Sequence, residues 1–374
     1  MKIEFQRDSF GKALQSVGTV VEKKTTMPIL GNILLEAKGD RLQISATDLE
    51  IGIQATCPVR VLTEGRVCVP ARSLIDIVRE LPDEKGTLRK GDNEWLVVES
   101  GKAQFRVVGM VADEFPKMQP KDKFKFSKLR VETLKHGIEK TGFAICTDEM
   151  RYNLNGAFIE TRKGDKGGTQ FRMVTTDGHR LALVDTTLSD DETFSLAKGV
   201  ILPRKGVAEL RRLLGESTSK LIGAAVADGN AAFQIEDVVI AMRLVVGEFP
   251  DYTAVIPKGN KKKLMLDRNL FSQSLHRVSL LSEGKSKCIR LGIKKDGVHL
   301  SANSPELGEA EEEVQGEFMG DDMEIGFNAR YILDALSVVD GNKVMIELDH
   351  AQSPGVIRIP NDANFLSVIM PMRI

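Results

Sequence analysis

The 374-residue sequence predicts an α+β protein built from three repeated domains, each of antiparallel sheets with two helices. Three observations carry this. The segment Val174-Thr175-Thr176-Asp177-Gly178-His179-Arg180-Leu181-Ala182-Leu183-Val184 reads as a strand, a polar turn and a second strand, and it has siblings at 42–51 and 298–307. Asp48 to Asp177 is 129 residues and Asp177 to Ser304 is 127, so the period is a whole domain rather than a solenoid unit. Short period-2 runs, such as 95–98, 105–108, 232–235, 239–242 and 344–348, are separated by Gly, Asp and Asn turns, and no βαβ series appears.

The elements follow in order within each copy. Every copy opens on a strand that runs into a helix: 3–7 with Phe10 and Leu14, 124–126 with Leu129 and Leu134, 264–268 with Leu270 and Leu275. The repeated turn comes next. Then Val69-Pro70-Ala71-Arg72, Leu202-Pro203-Arg204-Lys205 and Phe327-Asn328-Ala329-Arg330 each mark a strand end entering an amphipathic helix, with apolar residues at three-to-four spacing. The first two copies close on Glu114-Phe115-Pro116 and Glu248-Phe249-Pro250, which places the domains at 1–120, 121–254 and 255–374.

Composition excludes several classes of protein. No apolar run approaches the roughly 20 residues that span a bilayer, and Met1-Lys2-Ile3-Glu4-Phe5 lacks a signal-peptide core, so a cytoplasmic location without membrane partners is expected. Cys57, Cys68, Cys146 and Cys288 are scattered, with no metal or disulfide spacing, and read as plain core or surface thiols. Gly284-Lys285-Ser286 has Ser279 where a phosphate loop needs glycine, and reads as an exposed hairpin or loop. Asp177 and His179 could form an acid–base pair, yet the sibling turns lack histidine, so the residues read as a tight turn. His136, His276, His299 and His350 have no ligand spacing. No catalytic residue, metal or cofactor is expected.

Charge points to a polyanion. The formal net charge is −1, but the six predicted helices, 7–18, 72–81, 128–140, 204–214, 268–277 and 330–336, hold fifteen Lys and Arg against seven Asp and Glu, leaving −9 for the remainder. Residues 306–324 carry nine acids and no Lys or Arg, as an outer or interface surface would. Basic helices repeated by domain suit the backbone of duplex DNA, whereas one Trp and three Tyr supply poor stacking for single strands. A duplex-binding scaffold that does not encircle DNA would share these helices. The end, Val368-Ile369-Met370-Pro371-Met372-Arg373-Ile374, is apolar to its last residues, and reads either as a final edge strand packed into the core or as part of a Met-lined groove for an extended peptide.

Thr176-Asp177-Gly178-His179-Arg180-Leu181-Ala182, Met27-Pro28-Ile29-Leu30-Gly31-Asn32, Arg151-Tyr152-Asn153-Leu154-Asn155-Gly156, Phe249-Pro250-Asp251-Tyr252 and Met370-Pro371-Met372-Arg373 together resemble the bacterial DNA polymerase III beta subunit, the replicative sliding clamp, over the whole chain in order. The resemblance implies the DNA clamp fold and a head-to-tail homodimer, a six-domain ring whose helices line the hole. It implies a non-catalytic, processivity-conferring subunit. Its partners would be double-stranded DNA, a second copy of itself, the DNA polymerase III alpha subunit, the clamp loader, and other clamp-binding-motif proteins such as repair polymerases, mismatch repair proteins and ligase. The implied partner-peptide groove falls on Leu154, Thr176, Gly178, His179, Arg180, Leu181, Pro250, Val255, Asn328, Tyr331, Val368, Ile369, Met370, Pro371, Met372, Arg373 and Ile374. DNA contact falls on Lys24, Arg72, Arg151, Tyr152, Arg204 and Lys205, and the ring interface on Lys102, Gln104 and Phe105 against Leu280, Leu281, Glu309, Glu311 and Glu312. The chain departs from the family pattern at Lys24, Asp148, Ala254 and Gly308, where members carry Arg, Gln, Arg and an acid.

Overall fold

The turn that repeats in sequence is built the same way at least twice. Thr47 Oγ1 donates to the Ile51 carbonyl at 2.8 Å, and Asp48 Oδ1 accepts from the Glu50 and Ile51 amides at 3.0 and 2.7 Å. Thr176 Oγ1 likewise donates to the Arg180 carbonyl at 2.6 Å, and Asp177 Oδ1 accepts from the His179 and Arg180 amides at 2.9 and 3.0 Å. Short polar side chains thereby satisfy the amides that a reversing backbone leaves orphaned. In the third copy Ser304 Oγ accepts from the Leu307 amide at 3.3 Å.

The structure, a computed structural model, describes residues 1–21, 26–119, 121–164, 167–282 and 287–374, apart from the Lys121 side chain. Lys24 and Gly284-Lys285-Ser286, expected from sequence to form a hairpin or loop, lie outside the described residues. Six α-helices are present among those described: α1 Arg7–Gly18, α2 Ala71–Arg79, α3 Val131–Thr141, α4 Arg204–Glu216, α5 Arg268–Ser279 and α6 Ala329–Ser337. All six expected helices form. In the second repeat the opening strand is Ser127–Arg130 rather than 124–126, so Leu129 is a strand residue and α3 starts later than expected. The buried counterpart of Phe10 in α5 is Phe271, not Leu270, which is 59% exposed, because the core face of this helix is set by Phe271, Leu275 and Val278.

The chain divides into two compact units. The first comprises Met1–Glu132, Asp190–Ser195 and Ala208–Leu244. It holds a five-stranded antiparallel sheet in the order Arg60–Thr63, Lys2–Gln6, Lys85–Lys90, Leu96–Ser100, Ala103–Val107. Its eight-stranded sheet runs Ser127–Arg130, Leu221–Ala227, Asn230–Ile235, Val238–Arg243, Ile51–Pro58, Arg41–Thr47, Asn32–Lys38, Gly65–Pro70. The second unit, Thr133–Ser189, Leu196–Val207 and Val245–Ile374, holds one twelve-stranded sheet. Its order is Val200–Pro203, Gly156–Lys163, Thr169–Thr176, Arg180–Thr187, Phe365–Ile369, Gly355–Arg358, Lys343–Leu348, Lys262–Asp267, Gly308–Met319, Gly297–Ser304, Cys288–Lys294, Met323–Asn328.

Two of these neighbours join different repeats. Ile51–Pro58 pairs with Val238–Arg243, and Arg180–Thr187 with Phe365–Ile369. The central repeat therefore contributes strands to both sheets, which is why the three sequence copies condense into two units. It also decides the chain end: Phe365–Ile369 is flanked on both sides and fully buried, an interior strand rather than the edge strand considered from sequence.

Candidate functional site

The best-organised polar cluster of the second unit surrounds Arg180. It sits at the start of the strand Arg180–Thr187, and the repeated turn fixes its backbone, so its guanidinium points away from the sheet into a fixed set of partners. Its Nε donates to Asp177 Oδ2 at 3.0 Å, Nη1 to Asp334 Oδ2 at 2.6 Å, and Nη2 to the Phe143 carbonyl at 2.7 Å. The guanidinium stacks 4.5 Å from the Tyr331 ring and 5.4 Å from Phe143. Asn328 caps α6 by accepting from the Arg330 and Tyr331 amides, which orients Tyr331 toward Arg180. Burial pushes the Tyr331 hydroxyl above its ordinary value, and Asp177 adds to the shift.

These residues line a cavity of about 880 Å³ together with Arg151, His179, Lys287 and Arg330. Arg151 closes one side, donating to the Asp177 carbonyl at 3.0 Å and lying 3.8 Å from Asp148. Gly178, at φ +85°, keeps the turn open there, since a Cβ at this position would stand 3.1 Å from Arg151 Nη1. Asp148 Oδ1 accepts from the Met150 amide at 3.0 Å, so its carboxylate is engaged by a local turn and by Arg151.

An apolar floor adjoins the turn. Leu181 and Val368 face each other across paired strands and pack with Val174, Leu183, Val356 and Leu366, with Phe158, Phe249, Tyr252 and Ile256 against them. Phe158 and Phe249 stack at 5.0 Å. Behind them Arg172 and Asp185 form a bidentate pair at 2.7 and 2.6 Å, and Tyr252 bridges Arg172 and Glu160. Despite burial, which opposes charge, the Asp185 and Tyr252 hydrogen bonds hold the Arg172 guanidinium above its ordinary value. Neither Arg172 nor Asp334 is marked by the sequence, because their partners are 13 and 154 residues away.

The implied groove residues therefore play unequal parts. Thr176 and Leu154 are buried, as are Val368 and Ile369 at 1% and 2% exposure. His179, Pro250, Val255, Met370, Arg373 and Ile374 are exposed, while Pro371 and Met372 are half-buried. The chain end is tied down by the Met370 amide donating to the His179 carbonyl at 2.9 Å and the Met372 amide to the Gly326 carbonyl at 2.8 Å.

Of the implied DNA contacts, Arg72 and Lys205 are exposed, Tyr152 is 61% exposed, and Arg204 is half-buried. The helices present less free charge than their composition indicated. Lys140 is buried against Asp340, Arg79 holds Asp76 and Glu80, Arg212 holds Glu209 and Glu216, and Arg277 holds Glu312. Among the ring-interface residues, Lys102 and Gln104 are exposed and Phe105 half-buried on the edge strand Ala103–Val107. Leu280 is 62% exposed, and Glu309 and Glu311 point outward, whereas Glu312 turns to Ser274 and Arg277. No group of three or more metal-binding side chains occurs among the described residues, and no helix of those described is long and apolar enough to cross a membrane.

Three family models match the chain in succession: the N-terminal domain of the DNA polymerase III beta subunit over residues 1–119, its central domain over 128–251 and its C-terminal domain over 253–373. The beta sliding clamp of Caulobacter vibrioides is 38% identical over 378 residues, covering 100% of each chain, and that of Pseudomonas aeruginosa 34% over 377 residues with the same coverage. A DNA polymerase sliding clamp from Caulobacter crescentus matches in structure with a TM-score of 0.94 at 37% identity over 100% of both chains. A sliding clamp from Bartonella birtlesii, solved bound to griselimycin, matches with a TM-score of 0.93 at 36% identity and equal coverage. With all three domains matched in order and relatives alike from end to end, the chain belongs to the DNA polymerase III beta subunit family, the beta sliding clamps.

Proposed function

We propose that this sliding clamp works as a head-to-tail homodimer, a six-domain ring that encircles duplex DNA and tethers the replicative polymerase without performing catalysis. One observation carries the ring. At each junction between repeats inside the chain, the strand that follows the repeated turn pairs with the last strand of the next repeat. The same rule applied once more leaves Gly308–Met319 of the third repeat and Ala103–Val107 of the first. Among the described residues, Ala103–Val107 pairs only with Leu96–Ser100, and residues 308–315 only with Gly297–Ser304. Two open edges of this kind favour joining to a second copy. Lys102 and Arg106 on one edge and Glu309, Glu311 and Glu313 on the other supply opposite charge.

The cluster around Arg180, the apolar floor and the chain end form the proposed groove for extended peptides of the alpha subunit, the clamp loader and other clamp-binding proteins. Its apolar floor takes hydrophobic side chains, and the polar cavity takes the more polar part of the peptide. Arg72, Arg151, Tyr152, Arg204 and Lys205 are the proposed DNA contacts. Because many helix cations are engaged internally, the phosphate attraction is modest, which suits a ring that slides and is retained by topology.

The test is retention on nicked circular DNA after loading by the cognate loader, followed by a single cut. Loss from the cut ends under moderate salt is the expected result. Equal retention on cut and uncut DNA would replace the ring with the non-encircling scaffold.

A further inference from the structure

At both internal junctions a single cation holds the end of a helix belonging to the neighbouring repeat. In the first unit Arg212 of α4 donates from Nη2 to the Ser16 carbonyl at 2.9 Å and to Thr19 Oγ1 at 3.2 Å, at the carboxyl end of α1. Its Nε meanwhile holds Glu209 at 3.1 Å, and Glu209 accepts from Thr19 at 2.8 Å. In the second unit Lys140 of α3 donates to the Val338 carbonyl and, at 2.7 Å, to Asp340, just past α6. A helix end carries orphaned carbonyls and the negative pole of its dipole, so a cation there is stabilising.

Counting along the helices identifies the corresponding residues of the open ends. Arg79 stands eight residues after the start of α2, as Arg212 does in α4, and Asp76 stands five after it, as Glu209 does. Ser16, Lys140 and Arg277 each stand nine residues into α1, α3 and α5. Arg79, like Arg212, holds the carboxylate three residues before it, but through Nη2 on Asp76 at 3.0 Å with Nε on Glu80 at 3.1 Å. Its side chain is 61% exposed, and gripping a neighbour requires Nη2 to exchange Asp76 for the new carbonyl. The end of α5 is also open, with Leu280, the counterpart of Thr19, 62% exposed. Arg277 is held aside by its own chain, with Nε on Glu312 at 3.0 Å and Nη2 on Ser274 at 3.1 Å.

We propose that Arg79 of one copy grips the carboxyl end of α5, residues 277–280, in the neighbouring copy, so that the ring closes with the same helix-end clasp used inside the chain. This rests on the ring reading above. The Glu312 carboxylate then has a definite part: it neutralises Arg277 and prevents two arginines from facing each other across the joint.

Sedimentation equilibrium over a wide concentration range tests the clasp. Arg79→Ala is expected to weaken dimerisation roughly tenfold, the effect of losing one charge-assisted hydrogen bond. Arg79→Glu weakens it further, and Arg79→Lys retains most of it. Glu312→Gln, which releases Arg277, weakens it as well. Circular dichroism and the unfolding midpoint of Arg79→Ala should stay at wild-type values, since among the described residues Arg79 pairs with the exposed carboxylates of Asp76 and Glu80. A wild-type protein that stays monomeric throughout would overturn the ring reading itself. A dimeric wild type with unchanged Arg79→Ala and Arg79→Glu would overturn the clasp alone.

Discussion

Arg180 is predicted to contribute to the groove as an organiser more than as a ligand. Its side chain is 9% exposed and each of its three nitrogens already has an acceptor, so a bound peptide meets the surface it shapes. Arg180→Ala removes the buried guanidinium from Asp177 and Asp334, leaving Asp177 only its turn amides and Asp334 only Arg330 at 3.9 Å, and is expected to lower unfolding free energy by about 3 kcal/mol, measured in urea. Arg180→Lys keeps the charge, loses the fork and falls between. A second prediction concerns Glu236 at a hairpin turn. The Thr218 amide, then the Ser217 hydroxyl, hold its carboxyl below the ordinary value. A depressed folded value means the stabilisation is fully present above the unfolded carboxylate pKa of roughly 4 and is lost as pH falls through the folded one. Glu236→Gln should therefore lower the unfolding midpoint at pH 7, and the difference should close in acid. The cysteines are quiet by comparison, with burial pushing the thiols of Cys57 and Cys68 up to about 12.

Among elements, the repeated turn allows one copy to be improved from another. Leu49 occupies the place of Gly178 and adopts φ 75° while 55% exposed, a left-handed conformation that a branched side chain disfavours. Leu49→Gly is expected to raise stability by about 1 kcal/mol, and Gly178→Ala to lower it by a similar amount, read from thermal unfolding. The chain end separates binding from folding. The strand Phe365–Ile369 is locked between two neighbours, whereas Met370 to Ile374 are attached by two backbone hydrogen bonds. Deleting the last five residues should cost little in unfolding midpoint but weaken a fluorescent clamp-binding peptide about tenfold or more, as measured by anisotropy.

For the whole molecule, the internal junctions give a register for the proposed closure. Ile51 opposes Met242 and Ala55 opposes Val238, while Arg180 opposes Ile369. The two-residue turns after Ile235 and Ser100 align Val238 with Ala103 and Met242 with Val107. Leu307, three residues after Ser304 as Ile51 is after Asp48, should then oppose Val107 of a second copy, Glu309 oppose Phe105, and Glu311 oppose Ala103. Oxidised Glu309→Cys/Phe105→Cys protein should run as a covalent dimer on non-reducing gels, and Glu309→Cys/Gln104→Cys, one residue out of register, should not.

Much was legible without coordinates, and for identifiable reasons. The polar turn at Asp48, Asp177 and Ser304 and the six amphipathic helices depend on local chemistry, so periodicity and turn residues specify the α+β class and the threefold repeat. Charge placement was less legible. Composition counts Lys140 and Arg277 as free cations, and only packing reveals Asp340 and Glu312, which engage them, whereas the partners of Arg212, Glu209 and Glu216, stand at helical spacing on its own helix. Likewise nothing near Arg180 in sequence announces Asp334, and nothing near Phe365 announces the strand Arg180–Thr187. Those pairings bring together residues more than a hundred positions apart, a choice made by burial and by the need of open strand edges for partners, which the tertiary structure alone decides.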